Sequence, residues 1–160
     1  MNNYKLNTLI LLTLALFATS CGGGSNENTE SETVAEAPAA PMTLEEAEKG
    51  WKTNKGIGPI TSIELGAEVD QNMAEAGKVV FEAKCTACHK VEKKFIGPSP
   101  KGIMKKRTPE WVMNMILNPE GMVAEDPIAR QLLIKFSAPM ANQSLTEEEA
   151  RSVVEYFRTL

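Results

Sequence analysis

The stretch "KCTACHKVEKKFIGP", residues 84–98, carries two of the chain's three cysteines and its only histidine, and four of its fifteen residues are lysine. Cysteines spaced C-x-x-C with a histidine directly after them narrow the chemistry. A structural zinc site needs four sulfur or nitrogen ligands, commonly a second C-x-x-C or a pair of histidines downstream. This chain has no other histidine, and its remaining thiol, Cys21, lies far away in a different context. A thioredoxin-like dithiol needs a parallel strand and helix framework. Helical patterns flank Cys85 on both sides, without strongly apolar strand runs.

The third reading of C-x-x-C-H is covalent haem attachment. On a helical turn Cys85 and Cys88 project from one face, so both sulfurs can form thioethers with the vinyl groups along one edge of a haem. His89 is then carried under the iron as the proximal ligand. The flanking residues agree with this. "AGKVVFEAKCTACH" places Gly77 and Phe81 ahead of the motif: the glycine lets another helix cross closely, and the phenylalanine lies one turn before Cys85 on the same face. "FIGPSP" places Gly97 and Pro98 after it.

With these residues the chain resembles the class I c-type cytochromes, small monohaem electron carriers, over residues 72–160. The resemblance implies an all-α domain wrapped around one covalently bound haem c. It also implies that the Pro98 carbonyl accepts the free ring N–H of His89, fixing the ligand's tautomer and raising its basicity. Pro100 stands where relatives often have an apolar residue. The resemblance places a methionine ligand in a loop just before the last helix. Met140 sits in such a loop, in "SAPMANQSLTEEEARSVVEYFRTL", although here Pro139 precedes it rather than a proline following it. Met122, in "NPEGMVAED", is the rival, and an open iron is a third arrangement. Met113 and Met115 lie on a helical pattern where methionine is usually core filler.

Three helix starts are written in capping residues. Thr108 precedes Pro109, Asp126 precedes Pro127, and Thr146 with Glu149 forms a capping box. The last helix shows Ala150, Val153, Val154 and Phe157 on one face, and by the resemblance it crosses the first, so that Tyr156 or Phe157 is expected at Gly77. Trp51 and Trp111 are read as core residues, or as indole donors to a haem propionate.

The chain opens with "MNNYKLNTLILLTLALFATSC". Its lysine, short apolar run and small residues read as a signal peptide over residues 1–20, too short for a spanning helix. Thr19, Ser20 and Cys21 resemble a bacterial lipobox, with Ala18 where leucine is more common, so Cys21 is expected to carry lipid. After Cys21, residues 22–41 are mostly Gly, Ser, Thr, Asn, Glu, Ala and Pro without aromatics, too polar to bury a core; residues 21–41 read as a flexible tether of about 25 Å reach. Residues 42–70 form an N-terminal extension of unassigned role, read as a short helix, a Gly-Pro turn and an extended piece. Residues 71–160 form the haem domain. The expected location is the cell envelope, lipid-anchored, with the haem domain in the periplasm.

Residues 84–107 hold eight positive side chains against one acid, +7 in a chain of net charge −4, which leaves −11 elsewhere. Such a band is either a solvated face or a docking face for an acidic redox partner, with Lys93, Lys94, Lys105, Lys106 and Arg107 as its candidate residues. No nucleic-acid partner and no small-molecule substrate are expected of an exported acidic protein of this kind. The chain is thus read as a one-electron carrier rather than an enzyme, serving a terminal oxidase or a nitrogen-oxide reductase. A haem sensor, or a fixed subunit of a respiratory complex, is the alternative.

Overall fold

The structure, a computed structural model, describes residues 42–160; the signal-peptide, lipobox and tether readings fall on residues 1–41, outside the described part. Among the described residues six α-helices follow in chain order: α1 (Leu44–Glu48), α2 (Gln71–Lys84), α3 (Pro109–Leu117), α4 (Pro119–Glu125), α5 (Pro127–Phe136) and α6 (Glu147–Arg158). A short 3-10 turn, Ile103–Lys105, precedes α3. No strand occurs among the described residues, and no helix among them is long and apolar enough to cross a membrane.

The helix starts follow from side-chain oxygens that accept the first free amides. Thr108 accepts from the amide of Trp111, Asn118 from Gly121, Asp126 from Ala129 and Thr146 from Glu149. Helices α3, α4 and α5 all begin on a proline, whose missing N–H costs nothing at that position. This lets three helices succeed one another with single-residue joints at Asn118 and Asp126.

Helix α2 packs along α6, and Gly77 sets how close they come. A Cβ on Gly77 would run into the backbone carbonyl of Ser152. The crossing is therefore glycine against backbone, not glycine against the aromatic Tyr156 or Phe157 expected there. Those rings pack one turn later on Phe81, each with its centroid 5.6 Å away. The core beside this crossing joins Val112, Ile116, Ile128, Ala150, Val153 and Val154. A buried valine or isoleucine contributes roughly 1.5–3 kcal/mol relative to exposure.

Residues 42–70 belong to the same compact unit as the helices. Asn114, on α3, holds the segment by donating to the carbonyls of Lys55 and Ile60 and accepting from the amide of Ile60. Asn54 donates to Asp126 at 2.7 Å, and Arg158 donates to the carbonyls of Gly66, Ala67 and Glu68. The extension is a strap over α3, α4 and the end of α6. Its own carbonyls and amides bond to side chains far away in sequence, so its course depends on tertiary partners.

Candidate haem cleft

Helix α2 ends at Lys84, but the chain keeps turning: the amides of Cys88 and His89 both donate to the carbonyl of Cys85. This extra turn places Cys85, Cys88 and His89 along one wall of an open cleft. Its cavity volume is about 210 Å³, and the cleft is open to solvent at its mouth. Phe81 and Phe157 form its floor near the cysteines; Trp111 and Met115 line it from α3, and Leu132 and Phe136 from α5. The lining is predominantly apolar, as a flat macrocycle requires.

Burial pushes the Cys85 thiol up to about 11, with the neighbouring Cys88 adding to the shift. The sulfur therefore stays a neutral thiol at ordinary pH. Cys88 is exposed at the rim.

The geometry of His89 is set by two backbone features. Its Nδ1 lies 2.7 Å from the Pro98 carbonyl oxygen. A carbonyl only accepts, so Nδ1 carries the proton and Nε2 keeps its lone pair for a metal. Gly97 lies against the ring: a Cβ there would stand 2.5 Å from Cε1 and 2.9 Å from Nδ1. The amide of Gly97 in turn donates to the Cys88 carbonyl at 2.8 Å, closing the loop back on the motif. Within that loop the Ser99 hydroxyl donates to the Val91 carbonyl.

The two methionine candidates separate cleanly. Met140 lines the cleft with Pro139 and Ala141. Met122 is fully buried on α4, away from the cleft lining, and its sulfur accepts the amide of Ile57 at 3.0 Å. The rival reading of Met122 as an axial ligand is corrected: it is not in a loop, and its sulfur is engaged with the strap. Met113 is core, whereas Met115 turns to the cleft. Trp111 lines the cleft with its ring while its Nε1 donates to Asp126 at 3.1 Å; Trp51 packs against the core. The propionate-donor reading is not supported for either.

Among the candidate docking residues, Lys93, Lys94, Lys105 and Lys106 are exposed. Arg107 is corrected: it is 4% exposed, its guanidinium pairs with Glu48 at 2.5 Å, and it lies 5.3 Å from the Trp111 ring centroid. It is a structural residue behind the cleft wall. The lysine side has a feature that sequence alone did not show: Lys94 lies over the ring of Phe136, a cleft-lining residue, at 4.9 Å. Beside it Phe95 and Ile96 are about half exposed, at 48% and 47%. Among the described residues no group of three or more His, Cys, Asp or Glu side chains could hold a metal ion by itself.

A protein-family model described as Cytochrome c matches residues 74–160. Among solved structures the chain is similar to a cytochrome c from Rhodothermus marinus, with 38% identity and a TM-score of 0.63 over 64% of this chain and 88% of that one. An engineered form of the Rhodothermus marinus protein matches at 37% identity and a TM-score of 0.62, covering 64% of this chain and 89% of that one. The engineered form bound to a carbene intermediate matches at 38% identity and a TM-score of 0.60, covering 64% and 88%. No match was found among curated proteins.

Proposed function

This chain belongs to the cytochrome c family, and from that premise we propose that it is an envelope electron carrier, anchored by lipid at Cys21, that passes single electrons between respiratory proteins. Its cofactor is one covalently bound haem c. Bound haem c supplies a one-electron iron couple; the protein supplies attachment, ligation and a docking surface. Cys85 and Cys88 are the thioether donors, and His89 offers Nε2 with its proton held at Nδ1 by Pro98. Met140, which lines the same cleft, would supply the second protein ligand to the iron. Apolar side chains of Phe81, Trp111, Leu132 and Phe157 line the cleft and would keep water from a bound haem, so little solvent would need to reorganise when charge changes.

The observation that carries this reading is the convergence of both motif cysteines, His89 and Met140 on one apolar cleft. Phe136 and the exposed Lys94 lie at its edge, and that supports docking of an acidic redox partner there. A terminal oxidase or a nitrogen-oxide reductase is the proposed acceptor. The test is acid-acetone extraction followed by spectra of the reduced and oxidised protein. The haem should stay with the polypeptide, show a sulfur-to-iron charge-transfer band when oxidised, and lose its covalent hold when Cys85 and Cys88 are replaced by Ala. Haem that extracts intact from the wild type would overturn the attachment; a missing sulfur band would overturn the ligand set.

A further inference from the structure

Met140 reaches the cleft from the connection between α5 and α6, residues 137–146, which contains no helix. Among the described residues, 138–145 make no backbone-to-backbone hydrogen bond. Among the described residues, the two non-glycine residues with positive φ both stand in this connection: Ser137 at 52°, closing α5, and Ser144 at 53°, just before the cap of α6. A left-handed conformation is uncommon for serine and is kept only where the surroundings fix it. The loop therefore hangs between two such turns, with Met140 near its middle.

A single hydrogen bond among the described residues joins residues 138–145 to another element. The Asn142 side-chain amide donates to the carbonyl of Leu117 at 3.2 Å, at the end of α3, where carbonyls run out of helical partners. The same side chain accepts the amide of Ser144 at 2.8 Å through its oxygen, an Asx-type turn that tolerates the left-handed residue. The other side-chain amide of the loop, Gln143, donates only within it, to the Ala141 carbonyl.

We propose that Asn142 is the positioning residue for the Met140 sulfur: its amide ties the loop to α3 while its oxygen sets the Ser144 turn, and together they hold Met140 in the cleft. The inference rests on the reading of Met140 as an axial ligand. Asn142 does not touch the iron site; it acts by setting how often the loop swings outward. Loss of one net hydrogen bond changes such an equilibrium by about five-fold.

The experiment compares wild-type, Asn142→Asp, Asn142→Ala and Met140→Ala holoproteins. Asn142→Asp keeps the oxygen for Ser144 and replaces the donor to Leu117 by a carboxylate oxygen that cannot donate. The reduced Asn142→Asp protein should bind carbon monoxide about five-fold faster than wild type. Its oxidised form should show a weakened sulfur-to-iron band, and amides 138–145 should exchange hydrogen faster, with the thermal midpoint little changed. Asn142→Ala should go further, since it also frees the Ser144 turn. Wild-type carbon monoxide kinetics in Asn142→Asp, with the band lost in Met140→Ala, would overturn the role of Asn142 and leave the ligand assignment standing. A lowered thermal midpoint with unchanged kinetics would likewise reduce Asn142 to a structural residue. Survival of the band in Met140→Ala would instead overturn the ligand assignment, and this inference with it.

Discussion

Gly97 lies flat against His89, so close that a single added carbon would stand 2.5 Å from the ring's Cε1. The residue after it, Pro98, accepts the His89 Nδ1 proton at 2.7 Å. One dipeptide thus fixes both the plane and the tautomer of the proximal ligand: glycine by leaving room, proline by offering an oxygen and no donor.

Gly97→Ala should therefore push the imidazole off Pro98 without touching the thioether attachment. Losing one hydrogen bond, about 1 kcal/mol, makes the ligand less basic and favours the ferrous state. For a one-electron couple 1 kcal/mol of preference between the two oxidation states corresponds to about 40 mV, so the potential should rise by up to that amount. Potentiometric titration reads it, and an unchanged potential would mean that the ring finds the same bond by another path.

Met140 and Met122 should part company on substitution. Met140→Ala should remove the sulfur-to-iron band, open the iron to carbon monoxide and lower the potential, since a Met/His pair raises it. Met122→Ala should leave the spectrum intact and destabilise the fold by about 2–5 kcal/mol, the range for a buried methionine, because Met122 is fully buried and its sulfur bonds the strap. Thermal unfolding monitored alongside the spectrum separates the two. A spectral loss in Met122→Ala with Met140→Ala unaffected would reverse the assignment.

How much of this was legible before the fold was known depends on how local the signal is. The C-x-x-C-H motif, the Gly-Pro pair and the Thr–Pro and Asp–Pro helix starts are short-range chemistry, and each lies in the structure where the sequence places it. The resemblance pointed to Met140 through its loop, and the structure lines the cleft with it. Met122 misled because "NPEGM" reads as a turn, yet Asn118 and Pro119 cap and start a helix there. Arg107 misled because charge in a sequence carries no burial: only the fold brings Glu48 to it across the strap. The short helix of the strap was legible, at Leu44–Glu48, but where the strap docks was not, since its partners, Asn114, Asp126 and Arg158, lie far along the chain.

Cys21 lies outside the described residues, and its role rests on the sequence alone. If Cys21 carries the lipid as proposed, Cys21→Ser should release the protein from membranes into the soluble fraction without altering its spectrum, because twenty mostly polar and small residues, 22–41, stand between Cys21 and the described domain. Fractionation of cells expressing each form reads this directly. Retention of Cys21→Ser in the membrane fraction would point to an uncleaved leader or to a docked complex.

The lysines divide by what they touch. Lys93 and Lys94 are exposed on the loop that also carries Ile96 and Gly97 into the cleft lining, and Lys94 lies over Phe136. Exposed charges act mainly on encounter with an oppositely charged partner, and salt screens them over about 8–10 Å. Charge reversal to Glu at both positions should slow electron transfer to the acceptor at low ionic strength, by roughly ten-fold or more, and the gap should close as salt rises. The potential should scarcely move, since solvent screens charges at this distance from a buried couple. Arg107→Ala supplies the contrast. Buried against Glu48 and Trp111, it should cost about 1–3 kcal/mol of stability, below the full cost of breaking a buried pair because Glu48 remains partly solvated. It should leave the salt dependence of the rate as in wild type. Stopped-flow rates across a salt series decide: a Lys93/Lys94 reversal that transfers electrons as fast as wild type at low salt would make this band a solvated face and place the docking surface elsewhere.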